Sequence, residues 1–214
     1  MTNESQVGPA LDPDADVVRR IRDGEPHLFE LLMRRHNQRL YRVARAFVRD
    51  AAEAEDVMQD AYVRAYAALA DFAGRARFST WLVRITVHEA MARRRRRRDG
   101  ALDDMEQLMD VARGPDEAAS SAEVRRLLEN AIARLDEPFR VVFVLRAIEQ
   151  LPVADVAECL QLDESTVKTR YFRARATLKG LLAQHAEALA PYLYDFQLQR
   201  CDRVVSNVLQ RLPQ

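Results

Sequence analysis

The stretch LPVADVAECLQLDESTVKTRYFRARATLK, residues 151–179, decides the fold, because its apolar pattern predicts two short helices joined by a tight turn. The first helix has Pro152 in its first turn and an apolar stripe formed by Val153, Val156, Ala157 and Leu160. Asp163 is a candidate N-cap for the second helix. That helix has apolar residues at spacings of four, three and four, namely Val167, Tyr171, Ala174 and Leu178. The pattern is typical of a helix-turn-helix.

The opposite face of the second helix is polar, basic and aromatic. At about 100° per residue it presents Ser165, Thr169, Phe172 and Arg173, flanked by Lys168, Arg170 and Arg175. A guanidinium can bind guanine through two hydrogen bonds, and a phenylalanine ring or a threonine methyl can contact thymine. The flanking basic side chains can bind phosphates. The pattern therefore favours a DNA-reading helix, and an ordinary basic amphipathic helix is the alternative.

The formal net charge of the 214-residue chain is zero, with 33 basic and 33 acidic residues. A zero charge argues against a basic nucleic-acid binder only if the charge is evenly spread. Residues 1–98 contain 19 basic and 14 acidic residues, whereas residues 99–122 contain one basic and seven acidic residues. The acidic segment also contains Gly100, Gly114, Pro115 and Ser120-Ser121. These features predict a flexible acidic linker, and an exposed helix with solvated acids is the alternative.

Helical periodicity extends over the rest of the chain, so the predicted fold class is all-α. Two helical domains are joined by the flexible acidic linker, and the second contains the helix-turn-helix. The predicted parts are a disordered N-terminal extension (1–17), a first domain (18–98), the linker (99–122), a second domain (123–185) and a C-terminal helical extension (186–214). An apolar stripe in the extension, formed by Val204, Val205, Val208 and Leu212, predicts packing on the second domain or on a regulator.

The first domain offers a second candidate nucleic-acid surface. Six consecutive arginines, Arg93 to Arg98, cover every face of a predicted helix. Some would bind phosphate with a steep salt dependence, and cations at a solvated helix C-terminus are the alternative. The loop before this helix mixes aromatic and basic residues from Phe72 to Trp81, a combination that can stack on unpaired bases. Phe78 and Trp81 also fit a core role.

A further predicted helix, at about 52–70, has one apolar and one mostly acidic face. The apolar stripe is Val57, Met58, Ala61, Ala65 and Leu69, and the opposite face carries Asp56, Gln59, Asp60 and Val63. An apolar residue within a polar rim favours protein docking, and a solvated acidic face is the alternative.

The sequence argues against several other classes of protein. The two cysteines, Cys159 and Cys201, form no disulfide framework or metal-ligand spacing, and Cys201 fits a small buried apolar residue better than a redox sensor. No catalytic triad, phosphate-binding glycine loop or histidine cluster occurs, so we expect no metal, no cofactor and no enzymatic activity. No apolar run has the length of a membrane span and the N-terminus is unlike a signal peptide, so we expect a cytoplasmic protein without membrane insertion.

In their order along the chain, these motifs resemble the extracytoplasmic-function (ECF) sigma factors of bacterial RNA polymerase. Residues 55–61 (EDVMQDA), residues 78–85 (FSTWLVRI) and the arginine run resemble sigma domain two. Residues 135–143 (LDEPFRVVF) and 151–179 resemble sigma domain four. The resemblance implies a subunit that binds core RNA polymerase, recognises the −35 and −10 promoter elements, melts the −10 region and directs transcription initiation.

The resemblance also implies residue roles. Asp56, Gln59, Asp60 and Val63 would dock on the clamp coiled coil of the largest polymerase subunit, and domain four would contact the flap of the second-largest subunit. The −10 element would be bound by Phe72, Arg75, Arg77, Phe78, Ser79, Thr80, Trp81, Arg84, His88, Arg93, Arg94, Arg95 and Arg96. The −35 element would be bound by Ser165, Thr166, Lys168, Thr169, Arg170, Phe172, Arg173 and Arg175.

Two further expectations come from the family. The linker would thread into the polymerase channel, where its acids mimic nucleic acid. An anti-sigma factor would control the chain, and a membrane-bound one would hold it at the inner membrane. His88 departs from the asparagine common in the family. A stand-alone helix-turn-helix repressor or activator is the alternative interpretation. Such a protein does not need the Asp56/Gln59/Asp60 face, whereas a polymerase subunit does.

Overall fold

The computed structural model describes residues 13–100, 127–178, 193–194 and 196–213. Within these ranges the regular elements are helices, which confirms the predicted all-α class. The predicted linker lies outside the described residues, apart from its first two positions, which continue a helix. No described helix is both long and apolar enough to cross a membrane.

The first domain is built on three long helices that pack on one another. After α1 (Ala15–Arg22) come α2 (Phe29–Phe47), α3 (Ala51–Ala67) and α4 (Phe78–Gly100). Asp50 caps α3, because its carboxylate accepts a hydrogen bond from the Glu53 amide at 2.7 Å. The five residues of the predicted apolar stripe are all buried, four of them on α3 and Leu69 in the 3₁₀ turn that follows it. The long helices are therefore positioned by an apolar core that the sequence pattern indicates.

The N-terminal boundary needs a correction, because the chain is ordered into a helix before residue 18. Helix α1 begins at Ala15, and the preceding Asp14 is 1 % exposed. The Asp14 carboxylate pairs with Arg35 and lies 2.7 Å from His36 Nε2. Burial is the main cause that lowers the pKa of His36, and the Asp14 carboxylate opposes it. A buried carboxylate with two partners on α2 fixes the start of the domain.

The second domain contains the predicted helix-turn-helix. Residues 127–133 form α5, followed by α6 (Glu137–Phe143), a π-helical turn (Val144–Ile148), α7 (Val153–Leu160) and α8 (Glu164–Thr177). Gln161 ends α7 in the left-handed conformation, with φ at 55°, and this geometry allows the tight turn into α8. Val167, Ala174 and Leu178 are buried, which confirms the predicted inner face of α8.

The C-terminal extension forms α9 (Leu198–Arg211), and its position corrects the prediction. Among the described residues it packs mainly on α3 and α2 of the first domain, whereas the prediction named the second domain or a regulator. Val204, Val205 and Val208 of the predicted stripe are buried there. The sequence predicts the apolar stripe of α9, but it does not predict the surface on which the stripe packs.

The two domains contact each other through α2 with α6 and through α4 with α7. Glu149, whose side chain is 1 % exposed, pairs with Arg39 at 2.8 Å and with Arg42 at 2.6 Å. Arg140 is 3 % exposed and donates hydrogen bonds to the backbone oxygens of Ala46 and Leu135. Charged groups of the second domain are therefore buried against the first domain.

Candidate nucleic-acid interface and docking face

Helix α8 presents an open polar and aromatic surface. Phe172 is 74 % exposed, although large apolar side chains are normally buried. Ser165, Thr169 and Arg173 are also exposed. The Thr169 hydroxyl donates to the Ser165 backbone oxygen at 2.9 Å, which leaves the threonine methyl available for contact. This is the surface that the sequence predicts for reading base edges.

A cleft of about 430 Å³ lies between the start of α6 and α8. It brings together five residues of the predicted −35 group, which are Ser165, Thr166, Thr169, Arg170 and Arg173. Pro138 and Phe139 of α6 line its other side. The predicted residues therefore lie on one continuous concave surface.

The loop between α3 and α4 is supported by an aromatic cluster. The ring centroids of Phe72, Phe78 and Trp81 lie 5.1 to 5.7 Å from one another, and Phe78 also contacts the His36 ring. Phe78 is fully buried and Trp81 is partly buried. Gly74, with φ at 67°, lies at the exposed part of the loop, where a residue with a side chain would be strained.

Three residues of the predicted −10 group are buried in this arrangement, and their contact with DNA stays a prediction. The side chains of Phe78 and Thr80 are 0 % and 8 % exposed, so in this arrangement they support the loop from inside and are not open to a DNA strand. Phe72 is also buried, at the edge of the same cluster. Arg75 and Arg77 are exposed, and Ser79 is partly exposed. The loop therefore offers two arginines on a rigid aromatic base.

The predicted −10 arginines of α4 are mostly paired with carboxylates. Arg84 contacts Glu158 at 2.6 Å and Asp155 at 3.4 Å, both on α7. Arg93 contacts Asp56 of α3 at 2.7 Å, and Arg94 pairs with Glu137 of α6. Arg95, Arg96 and the neighbouring His88 are exposed. The arginine run does meet several different environments, as its spacing predicts.

The face of α3 opposite to its buried stripe is also occupied. Asp60 lies 2.8 Å from Arg211 of α9. Glu55, buried to 6 % exposure, receives hydrogen bonds from Arg203 at 2.6 to 2.9 Å. Gln59 and Val63 are partly exposed, and Val63 packs against the core. The predicted docking residues share one face, and two acids of the motif bind the C-terminal helix.

Comparison with known proteins places this geometry in a family. The family model of sigma-70 region 2 matches residues 32–99, and that of sigma-70 region 4 matches residues 125–178. The RNA polymerase sigma-H factor of Pseudomonas aeruginosa is 34 % identical over 183 residues, which cover 80 % of this chain and 94 % of the relative. This chain belongs to the ECF sigma factors of bacterial RNA polymerase.

Other relatives agree. The ECF sigma factor SigM of Mycobacterium tuberculosis is 32 % identical, with 79 % of this chain and 84 % of the relative covered. SigW of Bacillus subtilis is 27 % identical, with 77 % and 94 % covered. The solved structure of CnrH in complex with the cytosolic domain of CnrY matches with a TM-score of 0.55 and 29 % identity, covering 80 % of this chain and 97 % of that chain.

Family membership establishes the general activity. A sigma factor binds core RNA polymerase and promoter DNA and directs transcription initiation, and it is not an enzyme. This confirms the functional prediction and decides against a stand-alone repressor or activator.

Sequence reasoning did not identify most of the charged residues of this sigma factor that the fold buries, among them Asp14, Arg140 and Glu149. Charged residues are rarely buried unless they are paired, and their partners lie far away in the sequence. The spacing of these residues along the chain therefore does not indicate that they are buried. Across the domain boundary, Arg140 donates a hydrogen bond to the Ala46 backbone oxygen and Glu149 pairs with Arg39 and Arg42, and only the tertiary structure shows these contacts. The burial of Arg140 lowers the pKa of its guanidinium.

The two thiols of the sigma factor fit structural roles. Burial raises the pKa of Cys159 to about 11, so this thiol stays protonated and unreactive near neutral pH. Cys201 is 8 % exposed, and its Sγ lies 2.9 Å from Asn37 Nδ2. The prediction that Cys201 is a small buried residue is confirmed. Within the described ranges, no cluster of His, Cys, Asp and Glu is arranged to hold a metal ion.

Proposed function

We propose that α8 reads the −35 element while the α3–α4 loop and α4 bind the −10 element. The observation that carries the −35 assignment is the open α8 surface, with Phe172 exposed beside the cleft that contains Arg173. A hydroxyl, an aromatic ring and a guanidinium on one helix face match the base edges of the major groove.

The −10 assignment rests on a basic, aromatic-supported loop followed by an arginine-rich helix. Arg75, Arg77, Arg84 and Arg93 to Arg96 bind the strand, and Trp81 and Phe72 support the pocket from beneath. Phe78 and Thr80 hold the loop in place. Ser79 and His88 lie on the accessible side of the same region.

The docking assignment rests on the acidic face of α3. Asp56, Gln59, Asp60 and Val63 bind the clamp coiled coil of the largest subunit, and domain four binds the flap of the second-largest subunit. The chain works in the cytoplasm, where its polymerase is, and an anti-sigma factor controls it. Domain two spans 15–100 and domain four 123–185 in this proposal, which extends the predicted 18–98 by the observed ends of α1 and α4.

Run-off transcription with purified core polymerase and the full chain tests the promoter assignments, because a sigma factor alone supplies promoter specificity. We expect a defined transcript only when the template carries both elements. Phe172→Ala should reduce the transcript and leave core binding unchanged. Equal transcription from templates with a scrambled −35 element would contradict the α8 assignment.

The docking face is tested by Asp56→Lys, because Asp56 is exposed and the change places a cation on that face. Core affinity should fall at least tenfold, which corresponds to about 1.4 kcal/mol. The matched control is Asp16→Lys on α1, an equally exposed aspartate outside the face. An equal loss with Asp16→Lys would show that net charge, not the face, is responsible.

A further inference from the structure

The C-terminal helix α9 packs on α3 and contacts, at Asp60, the acidic face that the proposed function assigns to core polymerase. We propose that α9 is an intramolecular competitor of core polymerase, which must leave α3 before the polymerase clamp can dock. This inference rests on the proposed docking role of α3. The partner that fits the face is, in chemical terms, a basic amphipathic helix, and the chain supplies one itself.

The contacts of α9 show how it fits the face. Arg211 binds Asp60 at 2.8 Å, and Arg203 places two nitrogens on the Glu55 carboxylate. In the opposite direction, Asp202 of α9 binds Arg34 of α2 at 2.7 Å. Cations toward α3 and an anion toward α2 define one orientation of the helix.

Apolar packing supplies the rest of the fit. Cys201, Val204, Val205 and Val208 of α9 are buried, although α9 as a whole carries three arginines and one acid. Such a helix has one apolar stripe and one basic face. It therefore offers the docking face both an apolar contact and the opposite charge.

Steric and electrostatic exclusion both follow from this position. Packed helices lie about 8–10 Å apart, so a polymerase helix cannot contact α3 at Asp60 while α9 lies there. The acids of the face are also already neutralised, Asp56 by Arg93 and Asp60 by Arg211. A docking partner that binds Asp56 and Asp60 would have to displace Arg93 and Arg211 from these carboxylates.

Two features of the contact between α9 and α3 favour its release. The Arg211 and Asp60 side chains are 44 % and 33 % exposed, and an ion pair this exposed contributes little to stability. The Arg203 side chain is 56 % exposed, although its partner Glu55 is buried. The apolar stripe consists of short side chains. The apparent core affinity then equals the intrinsic affinity multiplied by the fraction of molecules in which α9 has left α3.

The first test weakens the α9 contact in the full chain. Arg203→Gln/Arg211→Gln removes both ion pairs to α3 and two positive charges. The matched control, Gln199→Glu/Gln210→Glu, lowers the net charge by the same amount at exposed positions of the same helix. Core affinity, measured by fluorescence anisotropy, should become about three- to tenfold tighter in the arginine variant and should not tighten in the control. Unchanged affinity, or an equal gain in both variants, would overturn the proposal.

The second test follows α9 during docking. In a Cys159→Ala background, Cys201 is the one remaining thiol of the chain. A maleimide should label it slowly in the free chain and clearly faster once saturating core polymerase is added. If Cys201 stays protected in the polymerase complex, α9 remains in place and the proposal is wrong. Core binding that is insensitive to Asp56→Lys would instead overturn the docking assignment itself, so the two failures are distinguishable.

Discussion

The two predicted DNA-binding helices, α8 and α4, carry similar charge but differ in what their cations contact. On α8, Arg173 is exposed, and Lys168 pairs with its helical neighbour Glu164 at 3.3 Å. On α4, Arg84 and Arg93 are bound by carboxylates of other helices. The basic surface of α8 is therefore open in the free chain, whereas part of the basic surface of α4 is paired with carboxylates of the protein.

This difference indicates that the two promoter elements are not equally accessible to the free sigma factor. DNA phosphates can reach α8 directly, whereas at α4 they must replace protein carboxylates. Partly exposed ion pairs are weak, so the exchange has a small free-energy cost. We therefore expect these carboxylates to lower the affinity of α4 for DNA only slightly.

The packing of the two domains against each other also limits promoter recognition by the free chain. Helix α7 contacts both α4 and α8, so at about 8–10 Å per helix packing the axes of α4 and α8 lie within about 20 Å. The names of the −35 and −10 elements place them about 25 base pairs apart, which is about 85 Å along the DNA. Under the proposed assignments, the two helices cannot read both elements in this arrangement, and we infer that the domains separate on promoter binding.

The largest expected effect comes from breaking what holds the domains together. Glu149→Ala removes a buried carboxylate that Arg39 and Arg42 share across the domain boundary. Removing one partner of a buried ion pair costs about 3 kcal/mol. We expect a lower midpoint in urea unfolding and a larger radius of gyration in small-angle scattering.

The control for this change is Glu158→Ala, which also removes a carboxylate between the domains. Its side chain is 64 % exposed, so its pair with Arg84 should contribute less than about 1 kcal/mol. Equal losses of stability in the two variants would show that burial of Glu149 does not determine the closed arrangement.

The sequence predicts α8 well because its evidence is local. Val167 and Ala174 are apolar residues at helical spacing, and Phe172 lies among basic residues on the opposite face of the helix. Such a pattern fixes both the buried and the exposed face of one helix. The helix-turn-helix and the exposed face of its second helix could therefore be predicted from the sequence.

What the sequence does not predict is contact between distant segments. Whether α9 packs on domain four or on α3 depends on a match of stripes and charges more than 100 residues apart in the chain, as in Arg203 with Glu55. The burial of Glu149 likewise depends on arginines of another domain. Phe78 fits a core or a stacking role by composition, and only its neighbours decide between them.

An intermediate effect is expected at the open helix. Arg173→Ala should weaken binding to −35 DNA by about 1–3 kcal/mol and relax the preference for one base, because a bidentate contact to a base edge is lost. Lys168→Ala is the comparison, since a phosphate contact should be lost equally on all sequences. Anisotropy titrations with a panel of single-base variants measure both. A uniform loss with Arg173→Ala would reassign this residue to phosphate binding.

The smallest expected effect is at the engaged helix. Asp155→Asn/Glu158→Gln should free Arg84 from its partners on α7 and raise the affinity of the free chain for single-stranded −10 DNA by less than about fivefold, because partly exposed pairs contribute about 0.2–1 kcal/mol. Asp16→Asn/Asp23→Asn, within and just after α1, removes the same two charges at exposed positions away from α4. A gain confined to the α7 variant would show that these carboxylates hold α4 back. An equal gain in both would reduce the contrast between α4 and α8 to overall charge.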